Sequence, residues 1–199
     1  MKKITGLLVV LGLMGFAVVS FAQADLDAFP IGTTKMVYTI VTEEMNEPQT
    51  LALTVVSRGD GQYTLIMNME ASGTADQLSG FGFLFTGASL SYGGGEGVSY
   101  SSLQALINQR SHLRAGGDYI LPGGGSFNDI VSVEVAGVQC LEGSFVDPDK
   151  KNTRMTMAFS ISDPVYTFPL VRIEELRNGE WVETLEMELT EYTFTAPEG

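Results

Sequence analysis

The sequence holds one cysteine, one histidine and one tryptophan in 199 residues, and 11 lysines and arginines against 24 aspartates and glutamates. Each scarcity closes off a class of function. A lone Cys140 excludes an internal disulfide, so stability has to come from packing rather than from covalent staples. It alternates with Val138 in an apparent strand, which reads as a buried, inert thiol. With one histidine, a zinc site would need carboxylates to fill most of its ligand positions, and a Ser-His-Asp triad could only use His112. Nucleic-acid phosphates and anionic headgroups need a cationic surface that this composition does not supply. Long apolar runs are scarce too: beyond the first 24 residues none approaches bilayer-spanning length.

Those first residues have an export pattern. Lys2 and Lys3 form a basic start, Ile4 to Val19 is apolar and uncharged, and Phe21-Ala22-Gln23-Ala24 places small residues where a signal peptidase cuts. Residues 1–24 therefore read as a cleavable signal peptide, with Asp25 the expected mature N-terminus, and the chain is expected in the periplasm or outside the cell. An uncleaved membrane anchor is the competing reading, disfavoured by the Ala-x-Ala that abuts a charged segment. No cysteine lies beside the cut, which speaks against a lipid anchor. Cleavage removes only Lys2 and Lys3 from the charge, leaving 175 residues with 9 basic and 24 acidic side chains, a net −15. Residues 25–199 suffice for one domain with its own core.

Period-two alternation dominates that domain. Met36, Tyr38 and Ile40 form a first apolar stripe, Leu51, Leu53 and Val55 a second, and Tyr63, Leu65, Met67 and Met69 a third after the turn Arg58-Gly59-Asp60-Gly61. These three strands read as an antiparallel meander. Thr74-Ala75-Asp76 can start a helix carrying Leu78, Phe81 and Phe85, and Ser99 to Gln109 reads as a second helix with Leu103, Leu106 and Ile107 on one face. Strands resume within Ala115–Leu121, through Val131, Val133 and Val135, across Val138–Val146, and through Met155, Met157, Phe159 and Ile161. A last hairpin turns on Asn178-Gly179, with Leu185, Met187 and Leu189 on one face of its second arm. The expected fold class is mainly β (α+β): one curved antiparallel sheet of about nine strands. It is covered on one side only, with one or two short helices on the concave face. A lipocalin-like barrel or a β-sandwich is the alternative.

Motifs for chemistry are missing. Gly87-Ala88-Ser89-Leu90-Ser91 and Gly97-Val98-Ser99-Tyr100-Ser101 both fail the last glycine of a nucleophile elbow. Asp147, Asp149 and Asn152 offer oxygens without EF-hand spacing, and Gly123-Gly124-Gly125-Ser126 lacks the lysine of a phosphate loop. Glu43-Glu44 and Glu174-Glu175 are adjacent pairs that a strand would send to opposite faces. The expectation is a protein with no catalytic residues, no metal and no cofactor.

What stands out is methionine. Met36, Met67, Met69, Met155, Met157 and Met187 lie on the apolar stripes, and Gly80-Phe81-Gly82-Phe83-Leu84-Phe85 is apolar yet conformationally loose. Together Met67, Met69, Phe81, Phe83, Phe85, Met155, Met157 and Met187 are the candidate lining of an apolar ligand site. The competing reading makes them plain core and cover.

The order of meander, helical insertion, further strands and final hairpin resembles the periplasmic lipoprotein-carrier-type (LolA-like) half-barrels. The closing Phe168-Pro169-Leu170-Val171-Arg172-Ile173-Glu174, Asn178-Gly179 and Glu186-Met187-Glu188-Leu189-Thr190-Glu191-Tyr192 look like the last hairpin of such domains. The resemblance implies an apolar ligand, such as an acyl chain, held between curved sheet and helices, and carries over no residue. The leading expectation is an exported, non-enzymatic envelope protein binding a lipid or other apolar molecule. The alternative is a structural or protein-interaction module of the cell envelope, with its protein partner unknown; a hydrolase using His112 stands third.

Overall fold

Residues 26–43, 45–75, 77–78, 106, 110–121, 124–147 and 150–197 are described in the computed structural model of the chain. The alternating stripes become strands because apolar side chains two apart share one face and are buried together. The strands are β1 (Gly32–Thr42), β2 (Gln49–Gly59), β3 (Gln62–Glu70), β4 (Tyr119–Ile120), β5 (Ser126–Val135), β6 (Val138–Val146), β7 (Thr153–Ser160), β8 (Leu170–Arg177) and β9 (Glu180–Thr195). They form one open antiparallel sheet in the order β3-β2-β1-β9-β8-β7-β6-β5-β4. Among the described residues neither a closed barrel nor a sandwich is formed.

Tight turns hold the hairpins. Asp60-Gly61, Ala136-Gly137 and Asn178-Gly179 all have positive φ at both positions, the geometry whose twist matches paired strands. The sheet also curls. β8, β7 and β6 lie between β9 and β5, and a flat sheet would hold those two about 19 Å apart, yet β5 and β9 come into contact.

Two clusters make the core. Leu106, Leu113, Leu121, Phe127, Ile130, Leu141, Phe145, Met155, Met157, Phe159, Val171, Ile173 and Leu185 form the first. Phe127 and Phe168 each meet the Phe159 ring edge to face, at centroid distances of 5.7 and 5.3 Å. The second joins Met36, Tyr38, Ile40, Leu51, Leu53 and Val55 to Val135, Val138, Cys140, Ala158, Leu170 and Leu189. Burying one such side chain fully is worth about 1.5–3 kcal/mol.

One-sided cover, expected from the alternation, holds only in part. Met157, Ala158 and Phe159 are buried in succession, as are Cys140-Leu141 and Leu170-Val171, so both faces are covered across β6, β7 and β8. Val165 and Tyr166, from the connection between β7 and β8, pack against the second cluster there. That connection is anchored by Tyr192, whose hydroxyl donates to the Pro164 carbonyl at 3.3 Å.

Helical structure begins at the expected place. Thr74 Oγ1 accepts from the Gln77 backbone N–H at 3.4 Å and Gln77 Oε1 accepts from the Thr74 N–H at 2.9 Å, a reciprocal capping box. Leu106 is helical and fully buried in the first cluster, and a 3-10 turn follows at Arg110–His112. The remainder of both expected helices, like residues 1–24, lies outside the described residues. Among those described, no helix is long and apolar enough to cross a membrane.

Candidate functional site

The sheet has two edges, and they differ. β4 is two residues long, too short to template a further strand. β3 runs for nine residues, pairs with β2 on one side, and has no strand on the other among the described residues. Edge strands are usually blunted by lysine, proline or a bulge. β3 has neither residue; Glu70, at its end, is its only charge, and its pairing shifts register only beside the turn, between Ser57 and Gly59.

Its inner face is apolar, and its outer face carries Ile66 among Gln62, Thr64, Asn68 and Glu70. Tyr63, Leu65 and Met69 lean on the second cluster while staying half-exposed. Met67, on that same inner face, is 50% exposed, and Ile66, on the outer face, is 44% exposed. An open row of backbone donors and acceptors flanked by apolar side chains is what strand addition uses: the main chain supplies affinity, and alternate side chains supply selectivity.

The methionines proposed from the sequence are brought together only in part: Met69 and Met187 both pack against the second cluster. Met155 and Met157 are fully buried in the first cluster on β7, packed with Phe145 and Phe159. Met67 and Met69 sit on β3, five places away in the sheet order. Met187 is part-buried between the two clusters, paired with Ile40 on one side and Val171 on the other. Phe81, Phe83 and Phe85 lie outside the described residues. Ile66 was not among the candidates, although Leu65-Ile66-Met67 breaks the alternation that its neighbours keep, and that break marks an apolar residue on an otherwise polar face.

The residues weighed for chemistry are dispersed. His112 is exposed, and its Nδ1 lies 3.3 Å from Ser111 Oγ with no carboxylate bonded to it among the described residues. Cys140 is buried, and burial pushes its thiol up to about 11, which leaves it protonated and unreactive at neutral pH. No group of three or more His, Cys, Asp or Glu side chains is placed to hold a metal ion among the described residues. A cleft of about 10 Å³ beside Phe145, Asp147, Lys150, Thr153 and Met155 has room for one water.

Charge is arranged along the other side of the sheet. Arg154 forks onto Glu174 at 2.6 and 2.7 Å and lies 4.6 Å above the Trp181 ring. Arg172 bridges Glu183 and Glu186, and Arg177 bridges Glu43 and Glu175. Arg154 and Arg172 meet acids on the neighbouring strand, and Arg177 meets Glu175 on its own strand, the arrangement of a solvated sheet face.

No family model matches the chain, and no curated protein does. Among solved structures it is similar to MucB, at 11% identity and a TM-score of 0.41, covering 87% of this chain and 57% of that one. A second structure, MucB in complex with MucA(peri), gives 10% identity and a TM-score of 0.36, with 84% and 52% covered. The chain thus spans little more than half the length of either, and the likeness is one of coarse fold.

Proposed function

We propose that this protein is a non-enzymatic binding module of the cell envelope that takes up an extended polypeptide segment along β3. The observation that carries the reading is the edge itself: nine residues without lysine or proline, with Ile66 and Met67 half-exposed on opposite faces. The incoming strand would present apolar side chains at alternate positions and little negative charge, given a chain of net −13. The envelope part rests on the signal-like residues 1–24, and the non-enzymatic part on the dispersal of His112, Cys140 and the acidic groups. A photoreactive residue in place of Ile66, in the protein expressed in its own host, tests the reading against the same replacement of Ile120 on β4. The expected result is an adduct with a polypeptide from position 66 and none from position 120. Equal labelling, or no polypeptide adduct, would overturn it.

A second reading, an apolar small molecule or lipid on the inner face, is favoured by Met67, Met69 and Met187, the candidate methionines that stay accessible or part-buried. Native mass spectrometry of protein from its own envelope tests it. A bound apolar mass that is lost in Met67→Glu supports that reading, and an empty protein counts against it.

A further inference from the structure

Resting on the reading of β3 as a docking edge, we propose that the strand it takes up is β3 of a second copy, paired antiparallel about a two-fold axis through Ile66. The sequence of β3 is self-complementary in the one register that uses all nine residues. Gln62 then faces Glu70, Tyr63 faces Met69, Thr64 faces Asn68, Leu65 faces Met67, and Ile66 faces itself. No like charges are opposed. A parallel arrangement in full register would set Glu70 against Glu70, which destabilises a strand pair.

The pairing also accounts for the exposed side chains. A two-fold axis normal to the sheet keeps both inner faces on the same side. Met67, half-exposed in one copy, is therefore set beside Leu65 of the other, a residue already leaning on its own second cluster. Ile66, half-exposed on the outer face, meets its own copy at the distance of a directly opposed pair. Tyr63 and Met69 add an aromatic–sulfur contact at each end. Both strands continue their sheets without a break, and both edges disappear. The acidic balance of the whole chain opposes approach at long range, so salt, which screens exposed charge, strengthens this contact. A partner drawn in by opposite charge would respond in the other direction.

Sedimentation equilibrium of the protein purified from its own envelope, with a charge swap at the axis, tests the pairing. Ile66→Lys opposes two lysines and Ile66→Glu two glutamates, and each alone should weaken dimerisation about tenfold or more. Mixing the two restores the dimer, because Lys then faces Glu, and that recovery shows that both variants are folded. Val131→Lys, an exposed site on β5, should leave the dimer intact. A dimer unaffected by Ile66→Lys, or a mixture that stays monomeric, overturns the proposal. A monomeric wild type whose position-66 adduct joins a different polypeptide sinks self-pairing and leaves the docking edge standing; a monomer with no polypeptide adduct sinks both.

Discussion

The Phe127 ring lies directly against Gly143, across the β5–β6 pair, where an added Cβ would sit 2.6 Å from its Cζ atom. The close approach fills the space a side chain would take and lets Phe127 bury completely between Gly143 and Phe159. Gly143→Ala forces the ring out of that seat. The expected cost is about 1–3 kcal/mol, as in other overpacked cores, read as a lower midpoint in urea unfolding. An unchanged midpoint would mean that Phe127 has another place to go.

Tyr38 is fully buried with the Thr167 backbone beside its hydroxyl, whereas Thr34 and Thr42, on the same stripe of β1, have buried hydroxyls with no hydrogen-bond partner among the described residues. A buried hydroxyl left unpaired costs stability that its removal returns. Thr34→Val should therefore be about 1 kcal/mol more stable than wild type. Burial holds the Tyr38 phenol protonated well above the usual tyrosine value of 10.0. Unfolded tyrosine loses its proton first, so this contribution is complete below pH 10 and is lost as pH rises beyond it. Tyr192, pushed up to about 12 by burial and then by Asp163, adds to the same alkaline loss. Tyr38→Phe should flatten the fall, and a variant with the wild-type alkaline slope would contradict this origin for it.

Arg154 and Glu174 couple β7 to β8, and the guanidinium reaches over to Trp181 on β9. The bond from Arg154 holds the Glu174 carboxyl below its usual value. Stability from this pair is present above the unfolded carboxyl value and is lost as pH falls through the lowered folded one. Arg154 is partly exposed, so a double-mutant cycle of Arg154→Met and Glu174→Gln should give a coupling of about 0.2–1 kcal/mol, shrinking in salt. Trp181 emission should shift in Arg154→Met even where stability barely changes. Strict additivity together with an unmoved Trp181 spectrum would show that the pair does not form in solution.

Much of the fold was legible because it is local. The strand from Val138 to Val146 and the turn at Asn178-Gly179 follow from alternation and a two-residue turn signal. The position of β9 between β1 and β8 was not legible, since nothing in either strand announces a pairing across about 150 residues. The bulge at Asp129 was also hidden. Its positive φ inserts one residue into β5, so that Ile130 is buried while Val131, expected on an apolar stripe, is 49% exposed. The two-sided burial of β6, β7 and β8 depends on how the sheet curls and on the 161–169 connection, and strand periodicity does not report either. For the candidate site, methionine on the stripes was visible, but burial sorts Met155 and Met157 from Met67. What marks β3 is its place at an edge, which is a property of the assembled sheet.

Amide hydrogen exchange along β3 tests most directly whether this edge is open to a second strand. In dilute protein the outward-facing amides among Tyr63–Met69 should exchange rapidly while those of Leu51–Val55, on the doubly paired β2, stay protected. Raising the protein concentration should slow the β3 amides selectively. Amides of β3 already as protected as those of β2 at the lowest concentration would contradict the account, because the edge would then be occupied within the single chain.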